Sequence, residues 1–339
     1  MPITPDTSNG IPDTTADTRQ EIVEGVVRQL LAYYVFPEKA AVVARLLQTR
    51  LAAGTYDGLA DATAFAERLT ADVQSVTADK HLRVRLVAPG SAMPVSDAPS
   101  AEEDWAQYKQ LSESRNHGVE RVERLPMNIG YLDLRMFEMA ALAGGAITAA
   151  MTLVAHTQAL IVDLRHNRGG DPATVALACS YLFDERTHLN SIYQREGDRT
   201  DQYWSLDWVP GPRFGQRKPV CVLTSERTFS AAEEFAYNLQ SHRRATIIGR
   251  STRGGAHPGG PRQVSAHFEV FVPDGRSVSP ITQGNWEGTG VVPDIDVPEE
   301  DALRVAQVHL LKALAAMPGA PDVQALQARI AELEPARAS

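Results

Sequence analysis

Apolar residues recur at intervals of three and four along the first part of the chain. IVEGVVRQLLAYYV, AAVVARLLQTRLAA and ATAFAERLTADVQSV all show this spacing, which is typical of amphipathic helices. The next segment, ADKHLRVRLVAPG, changes to alternation of apolar and polar residues, which predicts one strand. The pattern therefore predicts a small helical bundle over residues 19–88.

The pattern changes again after Pro126. Short apolar runs typical of buried strands occur in NIGYLDLRMF, ALIVDLRHN, KPVCVLTS and RATIIGR, and each of the first three leads into a helical pattern. Strands that alternate with helices are joined by crossover connections and favour a largely parallel sheet. The second part of the chain is therefore predicted to be an α/β core.

These changes predict five segments along the chain. The first is rich in Thr, Asp and Pro, and the third is polar and too short for a PDZ-sized domain. In order they are a disordered arm (1–18), the helical bundle (19–88), a connector (89–125), the α/β core (126–318) and a C-terminal helix (319–339).

Composition excludes several classes of protein. With 43% apolar residues among 339, the chain has enough apolar side chains for a large core, and its net charge of −9 argues against a nucleic-acid partner. Cys179 and Cys221 lie in apolar contexts and are predicted to be buried thiols. Neither a metal-ligand spacing nor a phosphate-binding GxxxxGK[ST] loop occurs, so no metal and no cofactor is expected.

The amino-terminal stretch MPITPDTSNGIPDTTADTR is polar and lacks the apolar region of a secretory signal. No apolar run approaches the ~18 residues of a membrane span. The expected location is therefore the cytoplasm, or the periplasm if a signal has been removed, without a membrane partner.

Ser230 in RTFSAAEEFAYNLQ has two interpretations. With Glu233 it matches a capping box, in which a serine begins a helix and a glutamate three residues later bonds back to it. A serine at a strand-to-helix turn is also suited to nucleophilic attack. The stretch alone favours the capping role.

Other segments carry candidate chemistry. Gly169 and Gly170, in the turn DLRHNRGGDP, expose main-chain amides that could hold an oxyanion, although glycines are also usual in an ordinary turn. His81 could accept a proton near neutral pH, and His257 is either a second base or a residue that shapes its loop. Glu287 lies in a turn, where an isolated glutamate is most often solvated.

Together these segments resemble the S41 family of serine peptidases, which includes the C-terminal processing and tricorn proteases. The resemblance rests on NIGYLDLRMF, DLRHNRGG, TSERTFSAAEEFA, GRSTRGGAH and GTGVVPDI, which occur in the family's order. It implies a core of the crotonase- and ClpP-like ββα type after the helical bundle, without a PDZ domain.

The resemblance also implies roles for individual residues. C-terminal processing proteases use a lysine as the base, but Gly255 occupies that position, so the tricorn-like serine, histidine and glutamate pattern applies. One departure from that pattern is Lys80, which replaces a serine before the histidine. The implied roles are catalytic for Ser230, His81 and Glu287, oxyanion-binding for Ala231 with Gly169 or Gly170, and substrate-binding for Gly254, Gly255 and His257.

The bacterial branch similar to the repeats of interphotoreceptor retinoid-binding protein is the closest resemblance, through the helical N-terminal domain and the GGAHPG loop. The leading hypothesis is a serine peptidase that cleaves peptides or proteins through an acyl-enzyme. The alternative is a weakly active or inactive module that binds a hydrophobic ligand such as a retinoid or fatty acid. Acyl-CoA chemistry would rest on the core alone, since the serine motif does not match it. Proteins of this family and fold often assemble, so the resemblance allows a homo-oligomer, but the sequence does not fix the oligomeric state.

Overall fold

A computed structural model describes residues 16–59, 61–87, 101–318 and 322–334. Residues 1–15 of the predicted arm lie outside the described residues. So do part of the predicted connector and both ends of the predicted C-terminal helix.

Nine α-helices occur within the described residues, and none of them has both the length and the apolar content that a membrane span requires. They are α1 (Ala16–Tyr33), α2 (Pro37–Ala52), α3 (Ala62–Thr77), α4 (Ala101–Ser114), α5 (Ala140–Val154), α6 (Pro172–Ser180), α7 (Ala231–Ser241), α8 (Ala302–Ala315) and α9 (Val323–Leu333).

Twelve strands occur in the same part of the chain. They are β1 (Arg83–Leu86), β2 (Val119–Leu125), β3 (Ile129–Leu134), β4 (Ala159–Asp163), β5 (His188–Gln194), β6 (Arg199–Trp204), β7 (Val220–Thr224), β8 (Thr246–Gly249), β9 (Gly259–Gln263), β10 (Phe268–Pro273), β11 (Gly275–Val278) and β12 (Ile295–Asp296). The segment predicted as a connector thus contains α4 and β2.

The described chain forms two compact units. The first takes its residues from 1–105, 194–199 and 257–276, and the second from 106–193, 200–256 and 277–339. The first unit is therefore discontinuous in sequence, because two segments from later in the chain, 194–199 and 257–276, complete it.

The first unit combines α1, α2 and α3 with a three-stranded antiparallel sheet of order β1-β10-β9. Asp61 begins α3 as its N-cap, and its side chain accepts a hydrogen bond of 2.7 Å from the Ala64 amide. The core is aromatic where helix and sheet meet: the Phe65 ring lies 5.6 Å from Tyr56 and 6.0 Å from Phe268. The predicted helical N-terminal region is present, with a sheet packed against it.

A six-stranded sheet of order β12-β8-β7-β4-β3-β2 forms the centre of the second unit. Neighbouring strands are parallel except for β2, which pairs with β3 in the antiparallel sense. A further three-stranded sheet has the order β11-β5-β6. The predicted fold class, a mixed α/β core after a helical N-terminal region, is confirmed.

Both faces of the central sheet are covered, which explains its apolar strands. On β4, Leu160 and Val162 pack into the cluster that includes α5, α6 and α7, while Ile161 faces the cluster that includes α8 and α9. The two thiols follow the same division, because Cys179 belongs to the first cluster and Cys221 to the second. Both cysteines are free and buried, as predicted.

Asp163 ends β4, and its buried carboxylate anchors the segment that follows. It accepts hydrogen bonds from the Arg165 guanidinium (2.6 Å to Nη2) and from the Tyr131 hydroxyl (2.7 Å). Burial opposes its charge, but these hydrogen bonds hold the pKa of Asp163 below its usual value. Arg165 also donates to the Glu299 carbonyl at 2.8 Å. Asp163 and Arg165 thus form a largely buried ion pair at the end of β4.

We expect Asp163→Asn to lower the free energy of unfolding by about 3 kcal/mol, because the substitution leaves the largely buried Arg165 cation without a charged partner. Urea denaturation at pH 7 measures the change. Glu123→Gln is the control, since Glu123 pairs with the exposed Arg121 and should lose less than ~1 kcal/mol. Equal losses in the two variants would contradict this account.

Candidate active site

The turn between β7 and α7 carries Ser230 and is fastened to the segment after β4. Ser225 Oγ donates to the Arg165 carbonyl at 2.5 Å, and Thr228 Oγ1 donates to the Leu164 carbonyl at 2.8 Å. The Phe229 amide donates to the Asn167 carbonyl at 3.2 Å. Side-chain and main-chain bonds therefore hold two turns of the chain together at the carboxyl edge of the parallel sheet, where ligands commonly bind in α/β folds.

Ser230 has an unusual backbone conformation, with φ 56° and ψ −124°. A non-glycine residue adopts this conformation at a cost of about 1–3 kcal/mol, and such strain is concentrated at functional sites. A strained serine between a strand and a helix is also the arrangement of a nucleophile elbow, which exposes the side-chain oxygen. This backbone strain could not be predicted from the capping-box pattern.

The turn after β4 requires its two glycines because neighbouring segments of the chain lie too close to leave room for a side chain. A Cβ on Gly169, where φ is +114°, would lie 2.7 Å from Ser230 Cβ and 3.1 Å from the Ala231 nitrogen. A Cβ on Gly170, where φ is +134°, would lie 1.8 Å from the Phe137 carbonyl oxygen. Only glycine fits either position without moving the backbone. The structure thus brings Gly169 directly against Ser230 and Ala231.

The main-chain amides near Ser230 differ in whether they already donate a hydrogen bond within the protein. The Gly169 amide donates to Asn167 Oδ1 at 2.9 Å, so it is already occupied. The amides of Gly170 and Ala231 have no acceptor among the residues that the structure describes. Ala231 is the first residue of α7, where the helix dipole adds positive potential. Of the predicted oxyanion donors, the amides of Ala231 and Gly170 are therefore better placed to donate to an oxyanion than the amide of Gly169.

Glu233 has more partners than the predicted capping box requires. Its fully buried carboxylate accepts hydrogen bonds from the Ser230 amide (2.8 Å), Thr252 Oγ1 (2.5 Å), the Gly254 amide (2.6 Å) and the Gly255 amide (2.9 Å). Burial raises its pKa to about 7, although the four hydrogen bonds favour the charged form. The carboxylate thus joins the Ser230 turn to the loop after β8.

The same loop is bonded to the segment that carries Glu287. Thr252 Oγ1 accepts from the Val291 amide at 2.7 Å, and Trp286 Nε1 donates to the Gly255 carbonyl at 2.7 Å. Glu287 Oε2 accepts from the Ala256 amide at 2.6 Å. Gly254 and Gly255, which are predicted to bind substrate, use their amides to bond Glu233. Substrate binding by these residues stays a prediction.

His81 and His257 lie in the first unit, whereas Ser230 and Glu287 lie in the second. In the first unit the buried Asp79 carboxylate accepts from His257 Nδ1 at 2.8 Å and from the His81 amide at 3.0 Å. It also accepts from the Tyr34 hydroxyl at 3.3 Å. The His81 ring stacks on Phe271 with 5.8 Å between centroids. A histidine bonded through Nδ1 to a carboxylate, as His257 is bonded to Asp79, has its other nitrogen oriented as a proton acceptor.

Sequence reasoning missed Asp79, Asn167 and Thr252 as supporting residues. Asp79 lies two positions before His81, and an aspartate that bonds main-chain amides two residues on is a common local motif. Asn167 occurs between the buried strand and the two glycines, where an asparagine side chain can fix a turn in the same way. Thr252 had no local signal, because both of its partners are distant in sequence.

Comparison with known proteins gives two family matches. The model for peptidase family S41 matches residues 128–297. The model for the N-terminal domain of peptidase S41 in eukaryotic IRBP matches residues 8–122. The chain is also 36% identical over 105 residues to the tail-specific protease of Haemophilus influenzae, a match that covers 29% of this chain and 13% of that protein.

Solved structures show the same fold at low sequence identity. A peptidase-like protein from Parabacteroides merdae matches 88% of this chain and 99% of its own, at 18% identity and a TM-score of 0.59. A lipoprotein from Streptococcus agalactiae matches 87% of this chain and 96% of its own, at 12% identity and a TM-score of 0.56. Tricorn protease matches 93% of this chain and 37% of its own, at 13% identity and a TM-score of 0.51.

We expect Glu233→Gln to lower the free energy of unfolding by about 3 kcal/mol and to slow the reaction of Ser230 with a fluorophosphonate at least tenfold. The amide nitrogen of glutamine would face two of the donors that the carboxylate now accepts. Urea denaturation and the time course of intact mass measure the two effects.

Glu234→Gln is the matched control on the same helix. Burial raises the pKa of Glu234 to about 8, which favours its neutral form. Within the described residues no main-chain amide bonds this carboxyl group, and its Oε1 has no hydrogen-bond partner, so glutamine replaces it with less disturbance than at Glu233. The control should change stability and labelling little. The proposed role of Glu233 fails if the two variants behave alike.

Proposed function

Because this chain belongs to peptidase family S41, we propose that it is a serine peptidase in which Ser230 attacks the peptide carbonyl and forms an acyl-enzyme. The observation that carries the proposal is the strained backbone of Ser230, placed between β7 and α7 and directly against Gly169. A capping serine alone has no need of this conformation, because N-cap residues ordinarily adopt extended backbone angles.

Each proton in the proposed reaction has a defined path. His81 takes the proton of Ser230 Oγ as the oxygen attacks the carbonyl carbon, and gives it to the leaving amine when the peptide bond breaks. A water molecule, deprotonated in turn by His81, then attacks the ester and releases the acid product and Ser230. His81 has this role through the family resemblance.

The amides of Ala231 and Gly170 are the proposed donors to the oxyanion of the tetrahedral intermediate. Their freedom from acceptors within the described residues supports this assignment, as does the position of Ala231 at the start of α7. Donors that are fixed before the reaction need no reorganisation as charge develops, and losing one costs about 3 kcal/mol of transition-state stabilisation.

Two carboxylates are candidates for orienting a base. The resemblance assigns Glu287 to the catalytic group, and its hydrogen bond from Ala256 fixes one of its oxygens. Asp79 holds His257 through Nδ1 at 2.8 Å, which makes His257 the second candidate for the base. We assign proton transfer to His81 and a supporting role to His257, and single variants distinguish them.

Peptides or proteins are the proposed substrates. The chain spans 13% of the tail-specific protease that it matches, so this proposal does not rest on the substrates of that protein. Binding of a hydrophobic ligand is the alternative, and it is favoured by Lys80, which departs from the tricorn-like pattern before His81.

We expect a fluorophosphonate to add once to the wild-type protein, as measured by intact mass. Ser230→Ala should abolish the adduct, since the nucleophile is gone. His81→Ala should slow the reaction at least a hundredfold, because general-base catalysis contributes that much. His257→Ala should have a small effect.

A larger loss in His257→Ala than in His81→Ala would transfer the role of base to His257. The absence of an adduct on folded wild-type protein would count against the peptidase proposal. Solvent extraction and mass spectrometry of the purified protein would then test for a bound retinoid or fatty acid.

A further inference from the structure

A cavity of about 520 Å³ lies in the second unit at the edge of the central sheet. Its walls come from the turn after α4, from the residues after β3 and from the residues after β4. Four side chains that can carry positive charge line it: Arg115, Arg135, His166 and Arg168. The cavity is therefore cationic in character. His166 and Arg168 in its wall belong to the turn after β4, and Gly169 of the same turn contacts Ser230.

The charges in the cavity are not all compensated. Arg135 is neutralised by Asp133, which accepts hydrogen bonds from Nε at 2.7 Å and from Nη2 at 2.8 Å. Arg115 and Arg168 have neither an ion pair nor a side-chain hydrogen bond within the described residues. Glu120 is the acidic residue of the lining. Two guanidinium groups are thus available to an anion.

The neighbouring charges moderate this excess of positive charge without removing it. His166 Nε2 lies 3.8 Å from the Glu299 carboxylate, which also pairs with Arg227. A planar guanidinium matches a carboxylate with two parallel hydrogen bonds, whereas a lysine would act as a point charge. The chemistry of the cavity therefore favours a planar anion.

The turn that forms one wall has a strained backbone. Two consecutive non-glycine residues, Asn116 and His117, have φ values of 47° and 53° in the left-handed region, and Gly118 follows them with a φ of 85° that glycine adopts without strain. The Arg135 amide donates to the Gly118 carbonyl at 2.7 Å and holds the turn against the chain after β3. Consecutive strained residues persist where the surroundings fix them, and they are common at sites that clamp a ligand.

The cavity is also adjacent to the candidate active site. Arg168 precedes Gly169, whose backbone approaches Ser230, and consecutive Cα atoms are about 3.8 Å apart. An extended peptide advances ~3.3 Å per residue. A group held by Arg168 therefore lies within a few residues of a peptide bond placed at Ser230.

We propose that this cavity binds a carboxylate of the peptide substrate, with Arg115 and Arg168 as the donors. The proposal rests on the proposed peptidase function and names an acidic substrate class. The carboxylate has two possible sources, an aspartate or glutamate side chain and a free carboxyl terminus.

The test measures fluorescence anisotropy of labelled alanine pentapeptides with the full-length Ser230→Ala protein, which binds without cleaving. One pair of amidated peptides has a central glutamate or glutamine. The other pair has no acidic side chain and ends in a free carboxylate or an amide. We expect at least one carboxylate peptide to bind about tenfold more tightly than its neutral partner, and added salt to reduce the difference.

Variants identify the donors. Arg115→Gln and Arg168→Gln should each remove most of the preference for the carboxylate, while Arg217→Gln, an exposed arginine outside the cavity, should leave it unchanged. The pair of peptides that shows the preference identifies the source of the carboxylate. Equal binding within both pairs, or no binding of any peptide, would overturn the proposal.

Fluorophosphonate labelling of Ser230 keeps the two proposals separate. An adduct on wild-type protein without any carboxylate preference would reject the anion site alone. A carboxylate preference without an adduct would retain the site and reject the peptidase function.

Discussion

The buried carboxylate of Glu233 is the interaction on which the candidate active site depends. It accepts four hydrogen bonds from residues of two separate segments, and one of those residues is Ser230 itself. A charge inside a protein is tolerated only when its neighbours satisfy it, so the donors have little freedom to move apart. The conformation of the Ser230 turn is therefore coupled to that of the loop after β8.

The same principle recurs around the site, where side chains bond to main-chain groups of neighbouring segments. Asn167 holds the Gly169 amide and also donates to the Leu134 carbonyl at 3.0 Å, which joins the ends of β3 and β4. Thr228 bonds to the segment after β4 in the same manner. Loops without regular secondary structure obtain from these bonds the rigidity that helices and strands obtain from their own ladders.

The sequence predicted the elements whose patterns are set by burial. Strands β3, β4, β7 and β8 lie inside a covered sheet and are continuous apolar runs, so their positions were evident. Strand β2 was missed because VERVERL at the sheet edge is rich in exposed charge. Strand β9 reads GGPRQ, and glycine and proline argue against a strand except at an edge.

The candidate site divides in the same way. Ser230, the two glycines and the bond between Ser230 and Glu233 are local features, so a motif could reveal them. The other three donors to Glu233 lie at positions 252, 254 and 255, brought close only by the fold. The pairing of Asp79 with His257 spans 178 positions and has no local signature.

The division of the core by the central sheet has a consequence for the two thiols. Cys179 packs on the face covered by α5, α6 and α7, and Cys221 packs on the face covered by α8 and α9. Layers packed on a sheet lie about 10 Å from it, whereas the Cα atoms of a disulfide are usually within 7 Å. The sheet thus keeps the two sulfurs from forming a bond in the folded chain. Oxidising surroundings therefore cannot join these two cysteines without unfolding of the core that lies between them.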